Sequence, residues 1–177
     1  MEKEASISLG VVLERRPVDH PWTDWSWRPV AVIPGAAAVA APVELVRDGE
    51  AVRFHVATLT LVLHRKETEG LRVNLSQPQP SVYIVLRGDD ADDGAEHGPT
   101  PHLVTACPYE AEDYEIGGDD RVEAVAMPPE VAALVGHFVD RHHVEEKFVK
   151  RKRTPHDSRK GEPAPRRRGN TGRSRYG

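Results

Sequence analysis

Eight short extended segments, one apolar stripe at helical spacing and an abrupt change of charge near residue 150 predict a mainly β (α+β) domain. The expected form is an antiparallel meander closing into a barrel or a sandwich, with one C-terminal helix and a disordered basic tail. The boundaries expected are a single β-rich domain over residues 1–149, with its helix near 129–142, and a tail over 150–177. At 177 residues the chain is long enough for one domain with a real core plus an appendage. The stretch from Val52 to Arg87 is read as its frame, three successive strands. In the middle one Leu71, Val73 and Leu75 alternate with Arg72, Asn74 and Ser76, the two-residue period of a half-buried strand. Glu67-Thr68-Glu69-Gly70 before it reads as a hairpin turn, with Gly70 available for a positive φ. Tyr83 to Leu86 is apolar on both faces and reads as a central strand.

The other elements follow in order. Ile7 to Leu13 is a strand with Gly10 as a bulge or close-approach point, ended by Glu14-Arg15-Arg16-Pro17. Arg28 to Ile33 is a second strand, stopped by Pro34-Gly35. Ala36 to Ala41 has helical propensity but is too short to stand alone. Val43 to Val46 is a short strand that the Asp48-Gly49 turn signal pairs with the one from Ala51. In that strand the apolar phase changes from Val52, Phe54 and Val56 to Leu59, Leu61 and Leu63, which a bulge near Ala57-Thr58 or a barrel corner reconciles. Gly88 to Pro101 reads as a polar loop, His102 to Cys107 as a strand, Tyr109 to Asp120 as an acidic connector and Val122 to Met127 as the last strand. Pro128-Pro129-Glu130 starts a helix whose stripe is Val131, Leu134, Val135 and Phe138.

Charge divides the molecule. Residues 150–177 hold 11 of the 24 Lys and Arg and only two acids, a net of +9. The other residues carry a net of −13, so the overall −4 conceals the asymmetry. The tail fits nucleic acid, an anionic surface, an acidic protein or this chain's own acidic body. Its only aromatic is Tyr176, which provides poorly for base stacking. Cys107 is the only cysteine, which excludes an intrachain disulfide and a thiolate zinc site and fits a reducing, cytoplasmic setting. The most apolar run, Val30 to Val46, is broken by Pro34, Gly35 and Pro42 and falls short of a membrane span.

No constellation of catalytic residues stands out, and neither a cofactor nor a metal is expected. Asp89 to Gly94 has the glycine of a calcium loop, but Ala91 and Thr100 fall where a ligand and a bidentate Glu belong. His137, His142 and His143 are five and six apart, not the four that puts two zinc ligands on one helix face. Cys107 before Pro108 reads as a small buried hydrophobe, since a nucleophile would need a base, such as His102 or His20, that spacing cannot place. The most unusual stretches are DHPWTDWSWRP and EKFVKRKR. Trp25 and Trp27 share a strand face near Trp22, with Arg15, Arg16 and Arg28 beside them, and form either a core corner or a partner-docking platform. The candidate partner-binding set is Trp22, Trp25, Trp27 and Arg28, with Phe148, Lys150, Arg151, Lys152 and Arg153.

Four stretches, LGVVLERR (9–16), HPWTDWSWRPVAVIPG (20–35), VTACPYEAEDYEIGGDDRVEAVAMP (104–128) and HHVEEKFVKRKR (142–153), resemble one proteobacterial domain-of-unknown-function family. Its members lie beside formate dehydrogenase genes. The resemblance implies an accessory role in making or maturing a molybdenum- or tungsten-dependent formate dehydrogenase, and supplies no catalytic residues. Three classes of function are therefore expected. One is a non-enzymatic accessory protein that binds a protein client. Another is an enzyme or cofactor handler built from distant side chains such as His20, His102 and the 110–123 carboxylates. The third is nucleic-acid binding through the tail.

Overall fold

The computed structural model describes residues 4–87 and 98–143. Seven strands and three helices follow one another: β1 (Glu4–His20), β2 (Thr23–Pro34), β3 (Val43–Asp48), β4 (Ala51–His64), α1 (Thr68–Leu75), β5 (Ser81–Arg87), β6 (Thr100–Thr105), α2 (Pro108–Gly117), β7 (Asp120–Ala126) and α3 (Pro129–His142). The chain is mainly β, as the alternating patterns predict. The strands form two antiparallel sheets, ordered β2-β1-β4-β3 and β6-β5-β7. Among the described residues no strand is shared between the sheets, so the barrel is not closed. β4 runs against β6 and β2 against β7. One continuous apolar core takes Leu9, Leu13 and Leu61 from the long sheet, Ile84 from the short one, Leu71 from α1 and Val135 from α3.

The Val52–Arg87 meander is overturned. Its first strand belongs to the long sheet and its last, β5, is the centre of the short one. Its middle strand is the helix α1, preceded by a 3-10 turn at Arg65–Glu67. Leu71 and Leu75 are four residues apart, and that spacing gives a helix a face as readily as alternation gives one to a strand. Long-range packing decides between them. Gly70 lies inside the helix and keeps a negative φ, contrary to the turn reading. A Cβ there would stand 2.6 Å from the Cys107 sulfur and 3.1 Å from the Tyr109 ring, so glycine is what lets α1 seat on the start of α2. The buried Asn74 clamps the helix by donating to the carbonyls of Ser81 and Ala106, both at 2.7 Å, and by accepting the Ser81 N–H at 2.9 Å.

A second correction is the acidic connector, which is α2. Pro108 occupies its first turn, and Gly118 closes it at φ 77°. Only Ala111 is buried within it, so no apolar stripe announces it. Among the described residues there are therefore three α-helices where the sequence patterns predict one. β1 also runs past the Glu14-Arg15-Arg16-Pro17 stop. Its pairing with β4 ends at Arg15↔Val52, while its pairing with β2 continues to His20↔Thr23. Pro17 thus lies where one side of the strand needs no ladder donor. Other expectations hold. β3 and β4 form a hairpin, β5 is central, α3 spans 129–142, and the apolar phase change in β4 is a bulge at Val56, skipped between Val11↔Ala57 and Val12↔His55. Gly10 is a close-approach point: a Cβ there would lie 2.8 Å from both Ala36 and His55. The 36–41 stretch is irregular.

Candidate functional site

The continuation of β1 past Arg15 makes residues 16–26 a two-stranded ribbon that projects beyond the pairing with β4. Trp22 sits at its turn and is 87% exposed, with Val18 also exposed on the first arm. The ribbon is held in shape locally. The Trp22 N–H donates to His20 Nδ1 at 3.3 Å, and the Thr23 hydroxyl both donates to the Trp25 carbonyl (2.9 Å) and accepts the Trp25 N–H (3.3 Å).

At the base of the ribbon the two readings of the tryptophan cluster separate residue by residue. Trp27 is 3% exposed and part of the core. Its ring lies 5.6 Å from Phe54, and Gly98 lies against the indole so closely that a Cβ would fall 2.6 Å from it. Trp25 is half-buried. The Arg15 guanidinium lies 4.3 Å from the centroid of the Trp25 ring, 5.4 Å from Phe54 and 5.8 Å from Trp27. Its buried Nε has no hydrogen-bond acceptor. The π faces take that role, an arrangement worth more where water is excluded. Arg15 thereby fixes Trp25 between core and solvent.

The opposite face of the same strands carries a charged cluster that the sequence does not announce. Glu14 is 2% exposed, yet it lies cross-strand from Arg28 on β2 and Arg53 on β4 and two residues from Arg16. Arg16 hydrogen-bonds one carboxylate oxygen, Arg53 Nε donates to the other at 2.9 Å, and Arg28 stands 3.8 Å away. The hydrogen bond from Arg16, followed by that from Arg53, holds the Glu14 carboxyl below the usual range against the opposing effect of burial. One carboxylate thus orients three guanidiniums that are each at least half exposed, leaving a net positive patch. Because the folded-state pKa is depressed, the stabilisation is complete above the unfolded value of about 4.3 and drains away as pH falls through the folded one. Glu14→Gln is expected to lose about 1–2 kcal/mol at neutral pH, small for a buried carboxylate because its partners remain hydrated. Denaturant melts should show the gap from the parent closing on acidification below about pH 4, and a gap constant with pH would refute the assignment.

The histidines and the thiol are placed as follows. His20 and His102 are exposed on β1 and β6. His142 packs against Phe138 in a tilted ring pair with centroids 4.7 Å apart. His143 Nε2 accepts from Arg72 at 3.0 Å, and its Nδ1 stands 3.4 Å from the Thr68 hydroxyl, tying the end of α3 to α1. Among the described residues no three His, Cys, Asp or Glu side chains are grouped to hold a metal ion. Cys107 is buried at the start of α2, beside a cavity of about 380 Å³ that Glu67 and Glu110 also line. Burial pushes its thiol up, with the Glu67 and Glu110 carboxylates adding to it and the backbone N–H groups of Glu110 and Tyr109 opposing. A thiol kept protonated in this way is a poor nucleophile. Phe148, Lys150, Arg151, Lys152, Arg153, most of the calcium-like loop and the tail lie outside the described residues.

Among the described residues no helix is long and apolar enough to cross a membrane. Neither the curated proteins nor the solved structures contain a match to the chain. A family model does match residues 8–152, the ribbon, both sheets and α3 included, and the chain belongs to that family, described as a protein of unknown function (DUF3305).

Proposed function

We propose that this protein is a non-enzymatic, cytoplasmic accessory protein that docks a protein client through the β1–β2 ribbon, and that the client is a molybdenum- or tungsten-dependent formate dehydrogenase or its maturation machinery. The observation that carries the docking surface is Trp22, a large aromatic 87% exposed at the tip of a projecting hairpin. A free domain gains nothing by showing water so much apolar area, whereas a partner pocket gains a hot spot. Trp25, fixed by Arg15, extends the surface along the ribbon, and Arg28, steered by Glu14, adds a cation at the ribbon's base on the opposite face. Trp27 serves it from within the core. Lys150 to Arg153, with Phe148, add a basic arm that attracts an acidic client at long range. The identity of the client rests on the resemblance of the four sequence stretches to a family encoded beside formate dehydrogenase genes.

Trp22→Ala is expected to leave the thermal melt unchanged and to weaken client binding by roughly 2 kcal/mol or more. Neutralising Lys150 to Arg153 should chiefly slow association and flatten its salt dependence. The test is a pull-down from the native host with parent and Trp22→Ala protein, alongside formate dehydrogenase activity in cells carrying each. If Trp22→Ala is folded and both capture of formate dehydrogenase components and activity are unchanged, the proposal fails.

A further inference from the structure

A second surface, independent of the ribbon, lies at the far edge of the long sheet. β3 pairs with β4 alone among the described strands, and all six of its residues are exposed. Val43, Leu45 and Val46 show 48%, 44% and 54% of their surface, so the open backbone edge is also an apolar one. Edges of this kind invite another strand, and proteins usually blunt them. The blunting device here is a bulge. Glu44 pairs with Phe54 and Val46 with Arg53, leaving Leu45 as the extra residue.

That bulge also has a constructive consequence. In a regular strand residues three apart point to opposite faces. The inserted Leu45 instead puts Glu44 and Arg47 on one face, the face of Phe54 and Val52, and there they form a two-point ion pair with both N···O distances at 3.0 Å. Val43, Val46 and Asp48 share the other face. A second β3 laid antiparallel about a twofold axis at Val46 therefore meets its complement. Val46 faces Val46 of the second copy. Glu44 faces Arg47 of the second copy, and Arg47 faces its Glu44. Leu45 of each copy lies opposite the Val46–Arg47 step of the other, so the two bulges flank the axis and the one-residue offset of each is cancelled by the other. An unrelated strand without a bulge at that point loses this register, so the feature that repels promiscuous pairing selects the chain's own copy.

We propose that this protein self-associates as a twofold dimer by antiparallel pairing of β3 with β3, joining two four-stranded sheets into one of eight strands. The contact is short and has no deep core, so the dimer is concentration-dependent.

Sedimentation equilibrium of the full chain tests it, with dimer expected at protein concentrations on the order of 100 μM. Val46→Lys sets two ammonium groups face to face at the axis and should weaken association roughly tenfold or more. Arg47→Glu should weaken it as well, and Glu44→Arg combined with Arg47→Glu should restore it, because the exchanged pair is complementary again. Val46→Cys should cross-link to a dimer on mild oxidation, whereas Val43→Cys, which faces Asp48 of the second copy, should not. The substituted positions are exposed, and an unchanged melt confirms the fold of each variant. A chain that stays monomeric across this range, or a dimer that neither Val46→Lys nor Arg47→Glu weakens, overturns the proposal.

Discussion

Replacing Trp27 with alanine is expected to destabilise the domain by about 3–5 kcal/mol, a large part of the stability of a domain this size. The expectation follows from what the ring touches. Trp27 is 3% exposed, packs against Phe54 and lies in the shared core. Gly98, at φ 68°, is pressed onto the indole, so the segment entering β6 is shaped to this side chain. Arg121 of β7 donates to the Trp27 carbonyl at 3.0 Å, locking the backbone where the two sheets meet. Alanine would leave a cavity that neither sheet can close without losing that bond. Arg15 would also lose one of the three aromatic faces that surround its guanidinium. Urea melts measure the loss, and Trp22→Ala is the internal control. A Trp27→Ala variant within about 0.5 kcal/mol of the parent would show that the ring is not a core element.

The contrast between these two tryptophans marks how far the sequence carries. Spacing shows that Trp25 and Trp27 share a face, and Arg15 does reach both rings. Spacing does not show where along that face the core ends, because the boundary is set by β7, the Gly98 segment and the end of β4 pairing, all distant in the chain. The Glu14 cluster was illegible for the same reason. Glu14 and Arg53 are 39 residues apart, and only the β1–β4 register brings them together. Read locally, Glu14-Arg15-Arg16-Pro17 is a charged stop. In the fold it is a strand whose alternate residues serve opposite tasks, Arg15 among aromatics and Glu14 among guanidiniums.

The elements that were legible have long patterns or clear ends. Val131, Val135 and Phe138 fix α3, and the Asp48-Gly49 turn fixes the β3–β4 hairpin. α2 had good boundary signals in Pro108 and Gly118, but its interior is acidic and contributes only Ala111 to the buried surface. Its periodicity is therefore absent, and Pro108 and Gly118 without a stripe between them look the same as loop residues. α1 failed differently: its pattern was present but satisfied two periods at once.

Asn74 decides which period wins, and Asn74→Ala should cost about 2–4 kcal/mol, most of it for buried groups left without partners. The side chain is 1% exposed, so water does not replace it. Its amide donates to the Ser81 and Ala106 carbonyls at 2.7 Å and accepts the Ser81 N–H at 2.9 Å, which joins α1 to the first residue of β5 and to the segment leaving β6. A strand at 71–75 would alternate Asn74 away from Leu71 and Leu75. The helix places all three on neighbouring turns facing inward, where the polar residue finds backbone groups at the sheet's end. Removing the amide orphans one N–H and two carbonyls while leaving the apolar contacts of Leu71 nearly intact. Hydrogen exchange should therefore show the Ser81 amide losing protection and α1 opening before β5, with global stability lower by the amount above. Val73→Ala, on the half-exposed side of the same helix, should cost less than about 1 kcal/mol. If the two substitutions cost the same, Asn74 is an ordinary helix residue and the clamp does not exist.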